Sequence, residues 1–162
     1  MNTAYQKLET FFEQTLKDIQ RMQGVLEWEA ECLKNRDAEG LNKSSKEKEA
    51  LADHIHLLTQ RHYAFLASHR LPPNREGVER LLSLLPANDP SAHALRTRWL
   101  EIQALTNACN KLNETNGAYI GLLRQHAQRS LNALHGQSSQ ELVYGPDGVS
   151  HRPSATRKLI SV

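Results

Sequence analysis

The sequence predicts an all-α protein: an antiparallel bundle of long amphipathic, coiled-coil-like helices, with a short extra helix, a projecting C-terminal helix and a mobile tail. Three observations carry this prediction. Apolar residues make up 39% of the 162 positions but aromatics only 6%, and Leu, Ala, Glu, Gln, Lys and Arg dominate, a composition that favours helices over strands. Apolar residues recur at seven-residue intervals over long stretches, as a buried helical seam requires. Prolines punctuate these stretches at Pro72-Pro73, Pro86 and Pro90, and none follows until Pro146.

The first helix, over about residues 3–34, rests on Tyr5, Phe12, Ile19, Leu26 and Leu33, with Leu8 and Met22 at intervening positions. Gly24 interrupts it at a cost of about 1 kcal/mol relative to alanine, which a packed seam overrides. Asn35-Arg-Asp-Ala-Glu-Gly40 supplies the stop. A second helix, over about 42–69, places Leu41, Ser44, Lys48, Leu51, Ile55, Leu58, His62 and Phe65 on its seam. Because its first turns are polar on that seam, they are expected to fray or lie near solvent.

Pro72-Pro73 ends the second helix, and about 75–85 reads as a short helix closed by Pro86. Asp89 or Ser91 caps the next start. From there Leu95, Ile102, Cys109, Asn116 and Leu123, with Leu105, Leu112, Tyr119 and His126, support one helix over about 91–135. Residues 1–136 thus form one helical domain, and 137–162 a flexible tail carrying a turn motif.

Composition also narrows function. A formal charge of +2, from 20 basic and 18 acidic residues, lacks the footprint of a nucleic-acid binder, and the basic stretch from His151 to Lys158 reads as a solvated end. No run approaches ~18 consecutive apolar residues and the N-terminus has no signal-peptide pattern, so a cytoplasmic protein without stable membrane insertion is expected. Cys32 and Cys109 stand alone inside helical patterns, as packed thiols do.

Helix lengths point to a site. At 1.5 Å per residue the three long helices span roughly 48, 42 and 67 Å. In an up, down, up arrangement the last then exceeds its partners by roughly 20 Å, from about Ile120 onward. Ile120, Leu123, Ala127, Leu131 and Leu134 share one face of that surplus, opposite Arg124, Gln125, Gln128, Arg129 and Asn132. Such a stripe binds a partner helix in a shared groove, is covered by the tail or the short helix, or joins two copies as a homodimer.

The eight histidines form no His-x-x-x-His pair and no Glu-x-x-His motif, so no metal site or other cofactor is indicated. No phosphate loop or nucleophile motif is present, and the chain reads as a non-enzyme. The rival from another class is a histidine phosphotransfer bundle with His54 or His62 as relay. His62 falls on the apolar seam, and His54 lacks a surrounding motif.

Asn113, Asn116 and Gly117, followed by Ile120, Arg124, Leu131 and Leu134, then Tyr144-Gly-Pro-Asp-Gly148, His151-Arg152 and the ending Lys158-Leu-Ile-Ser-Val162, resemble the FlgN family of flagellar type III export chaperones. The likeness covers the last fifty or so residues well and extends to Lys46-Glu-Lys-Glu-Ala-Leu51, while Leu71 to Pro90 has no counterpart in it. The resemblance implies a chaperone that holds the hook-filament junction proteins FlgK and FlgL and delivers them to the export gate, FlhA. It implies client contacts at Asn116, Gly117, Ile120, Leu123, Arg124, Ala127, Leu131 and Leu134. Tyr144, on a turn-prone sequence, is then the gate-docking residue, the alternative being that it tucks against the bundle. Asn113 and Asn116 either bond a partner or fix register, and Gly117 with Gly121 either admits a partner helix or forms a packing notch.

Overall fold

The structure, a computed structural model, describes residues 2–86 and 88–135. They form four helices, α1 (Asn2–Asn35), α2 (Ala38–Ser68), α3 (Arg75–Ser83) and α4 (Pro90–Leu134), with no strand among the described residues. The all-α class is the one the sequence predicts. The chain divides at Ile120–Gly121, inside α4, into two units, and every buried residue among those described belongs to the first, Met1–Ile120.

Within that first unit the cross-helix pairs fix direction. Glu29 meets Lys48, Arg21 meets Glu47, Asp18 meets His54 and Phe11 stacks on His62, so α2 runs antiparallel to α1. Glu9 meets Arg98, Phe12 stacks on Trp99, Cys109 Sγ reaches the Ile19 carbonyl and Asn116 reaches that of Leu26, so α4 runs parallel to α1. The seam predicted from seven-residue spacing is the core: Leu8, Phe12, Ile19 and Leu26 of α1 pack with Leu66, Val78, Leu82, Leu95, Ile102 and Cys109.

The α1–α2 connection departs from expectation. α1 closes with Arg36 in the left-handed region at φ 56°, its N–H donating to Leu33 O and that of Asp37 to Cys32 O, a Schellman ending with arginine where glycine is usual. Asp37 Oδ1 then accepts the Gly40 N–H at 2.9 Å, which starts α2 at Ala38 rather than about 42. Gly40 is therefore not the stop. It is buried inside α2, where a β-carbon would strike the Asp37 carboxylate and Cys32 Sγ.

Ser44, one turn on, is fully buried, its hydroxyl donating to Leu41 O at 3.0 Å. The seam positions in the first turns of α2, Gly40 and Ser44, are thus buried rather than near solvent. Their small side chains let α1 and α2 approach closely, and a hydroxyl bonded within its own turn leaves no donor unmet.

The Leu71–Pro90 segment, without a role in the sequence, closes the opposite end of this unit. α2 ends on a second left-handed arginine, Arg70, before Pro72-Pro73. Asn74 caps α3 by accepting the Gly77 N–H, and Gly77 sits so close to the Pro72 carbonyl that no side chain fits there. Val78 and Leu82 enter the core, and Arg96 Nη2 donates to Leu82 O and Leu85 O, satisfying the exposed carbonyl end of α3. α4 starts where Asp89 accepts the Ser91 N–H, with Pro90 as its first residue, a position that needs no amide hydrogen.

His62 sits in this core at 5% exposure, stacked on Phe11 with centroids 3.9 Å apart, and its Nε2 has no partner. Burial pushes its pKa down to about 4. The unfolded chain, with an imidazole near 6.5, therefore binds the proton more readily, so stability is complete above that value and declines as pH falls from 6.5 toward 4. The expected loss between pH 7 and 5 is about 2 kcal/mol from this group. Urea midpoints at both pH values should show the loss in the native chain and its absence in His62→Leu; equal pH slopes in the two proteins would contradict it.

Candidate functional site

Of the predicted site residues, Asn116 is the one the fold commits internally. It is 3% exposed, the last buried residue in the series Leu95, Ile102, Cys109, Asn116, and its Nδ2 donates to Leu26 O and to Glu29 Oε2, both at 2.9 Å. Glu29 is equally buried, and its Oε1 accepts Lys48 Nζ at 2.7 Å. The same ammonium lies 3.3 Å from Asn113 Oδ1. One polar layer thereby ties α1, α2 and α4 together.

The layer is chemically complete: a carboxylate taken out of water needs opposing charge and donors on both oxygens, and Lys48 and Asn116 provide them. With both hydrogens of its Nδ2 engaged, the Asn116 amide has no donor left for an external backbone. Spacing alone did not single out Glu29 or Lys48 as partners. The available signal was that Glu29 follows Leu8 and Met22 on the seam of the first helix, where a charge demands a buried counterpart. Beside this layer lies a groove of about 210 Å³ lined by Ala30, Leu33, Lys34, Thr115, Asn116 and Tyr119.

Past Asn116 the side chains of α4 emerge. Gly117 is exposed and Ile120, the last residue of the first unit, is half-buried. In the second unit Leu123 is half-buried, while Arg124, Ala127, Leu131 and Leu134 are exposed, the two leucines at 49% and 83%. A β-carbon built at Gly117 meets nothing within 4 Å, so this glycine forms no packing notch within the first unit. The apolar face of α3 is taken up by the core of the first unit. Tyr144 and the tail lie outside the described residues.

The surface holds little chemistry. Among the described residues no group of three His, Cys, Asp or Glu is placed to hold a metal ion, and no helix is long and apolar enough to cross a membrane. His62, buried and stacked, has no access to a phosphodonor, and the His54 ring is engaged with Asp18 at 3.0 Å. Cys32 and Cys109 are buried free thiols whose pKa values burial pushes up, which lowers the thiolate fraction a nucleophile needs.

No curated protein and no solved structure matches the chain. The sequence model of one family, FlgN protein, does, and it spans residues 1–152, both seams and the turn sequence around Tyr144 included. With nearly the whole chain matched, this helical bundle belongs to the FlgN family of flagellar export chaperones, which are non-catalytic.

Proposed function

We propose that the chain is a cytoplasmic chaperone that binds the hook-filament junction proteins FlgK and FlgL through the C-terminal part of α4 and delivers them to the export-gate protein FlhA. One observation carries the reading: the apolar period of α4 continues after burial stops. Leu123 follows Asn116 at the seven-residue interval, and Ala127, Leu131 and Leu134 continue it, yet none of these four is buried. Residues that repeat like a seam without being buried are spaced for a partner's side chains.

Gly117, Ile120, Leu123, Arg124, Ala127, Leu131 and Leu134 form the proposed client surface, with Asn116 anchoring its base from inside. Ile120 and Leu123 are already half-buried and Leu131 half exposed, so covering these three with Leu134 contributes roughly 3 to 6 kcal/mol gross, against association costs of about 4 to 15 kcal/mol. Affinity is then moderate, which suits a client that must be released at the gate. Without a client, the same stripe is open to a second copy of the chain. Nucleic acid and membrane have no place in this function.

Tyr144 is the proposed gate contact. Tyr144→Ala should leave retention of FlgK or FlgL by the immobilised chaperone unchanged while lowering secretion of the junction protein. If retention falls together with secretion, Tyr144 belongs to the client surface or to the fold, and the division of labour proposed here is wrong.

A further inference from the structure

A cavity of the first unit lies between the first half of α1 and the last half of α2. It has a volume of about 460 Å³, and its apolar wall is made by Phe11, Leu58 and Phe65, with the His62 ring stacked on Phe11. Its lining runs from residue 6 to 14 on one helix and from 58 to 65 on the other, roughly 12 Å or two helical turns. A trough of this length between antiparallel helices takes side chains spaced i, i+3 or i+4, and i+7 from a third helix.

Charge around the trough is one-sided. Lys7 and Arg61 line it, both are exposed, and neither forms an ion pair among the described residues. No carboxylate lines it. The nearby acids of α1, Glu9 and Glu13, are drawn the other way, to Arg98 of α4 at 3.1 and 3.0 Å. An apolar floor with two unpaired cations beside it selects against a basic or neutral occupant and for an acidic one.

We propose that the α1–α2 trough is a second docking site that receives an acidic amphipathic helix of a partner protein, its apolar side chains against Phe11, Leu58 and Phe65 and its carboxylates meeting Lys7 and Arg61. The site is built wholly from first-unit residues, none of them on the proposed client surface. Exposed ion pairs contribute under about 1 kcal/mol each, so reversing both cations, which turns two attractions into repulsions, should weaken binding by about tenfold or more.

The test uses the full chain and two synthetic helices with leucines at i, i+3 and i+7, one flanked by glutamates and the other by lysines, followed by fluorescence anisotropy. The glutamate helix should bind at least about tenfold more tightly than the lysine helix, and less tightly as salt rises. Lys7→Glu with Arg61→Glu should remove that preference at an unchanged melting temperature, since both residues are exposed. Leu123→Asp with Leu131→Asp should leave it intact. Equal affinity for the two helices, or a preference that survives the double charge reversal, would overturn the proposal. So would a free-chain dimer that the reversal disperses in sedimentation, which would assign the trough to a second copy.

Discussion

Replacing Lys48 with methionine should destabilise the bundle by about 2 to 3 kcal/mol. The change leaves Glu29 buried with a carboxylate oxygen facing no donor, while the Asn116 amide serves only the other oxygen. Breaking a fully buried pair typically costs about 3 to 5 kcal/mol, but Lys48 retains 28% side-chain exposure, and water reaching its place softens the loss. Adding Glu29→Gln should recover most of it, because no charge is then buried and Asn116 keeps an acceptor. Urea denaturation of the two variants checks this order. If Lys48→Met alone stays within about 0.5 kcal/mol of the native chain, the pair is solvent-screened and the layer does not hold the bundle.

Placing aspartate at both Leu123 and Leu131 should reduce client affinity by at least about 100-fold. Each half-exposed leucine surrenders apolar burial of about 1 kcal/mol, and each carboxylate adds the larger cost of transfer into the interface. The melting temperature should barely move, since Leu131 is half exposed and Leu123 lies beyond the last buried residue of α4. Titration of FlgK or FlgL terminal segments, beside a thermal melt, separates the two effects. Unchanged affinity would remove these residues from the client surface.

The polar layer and the stripe differ in how far the sequence disclosed them. The seam through Phe12, Ile19, Leu26, Leu95, Ile102 and Cys109 is legible because helical period is a local property that residue spacing reports directly. His62 on that seam was legible for the same reason. The Glu29–Lys48–Asn116 layer was not, because a charged residue at a seam position becomes core only when a partner from another helix arrives opposite it. Gly40 and Ser44 misled for a related reason: small polar residues read as solvent-facing until another helix comes close enough to make their smallness useful.

For α3, spacing shows that a helix forms but not what it covers, since Val78 and Leu82 join a core cluster shared with Leu66 of α2 and Leu95 of α4. For the end of α4, spacing shows an apolar face, and whether that face is buried depends on where the other helices stop. Tyr144 stands on the turn sequence and on family membership.

The central claim is that the C-terminal part of α4 is the client surface, and amide hydrogen exchange of the intact chaperone with and without a bound junction protein tests it most directly. The account predicts that client binding slows exchange across 121–134, with smaller changes in the part of α1 that precedes Glu29. Slowed exchange confined to α1 and α2, with 121–134 unaltered by the client, would contradict it.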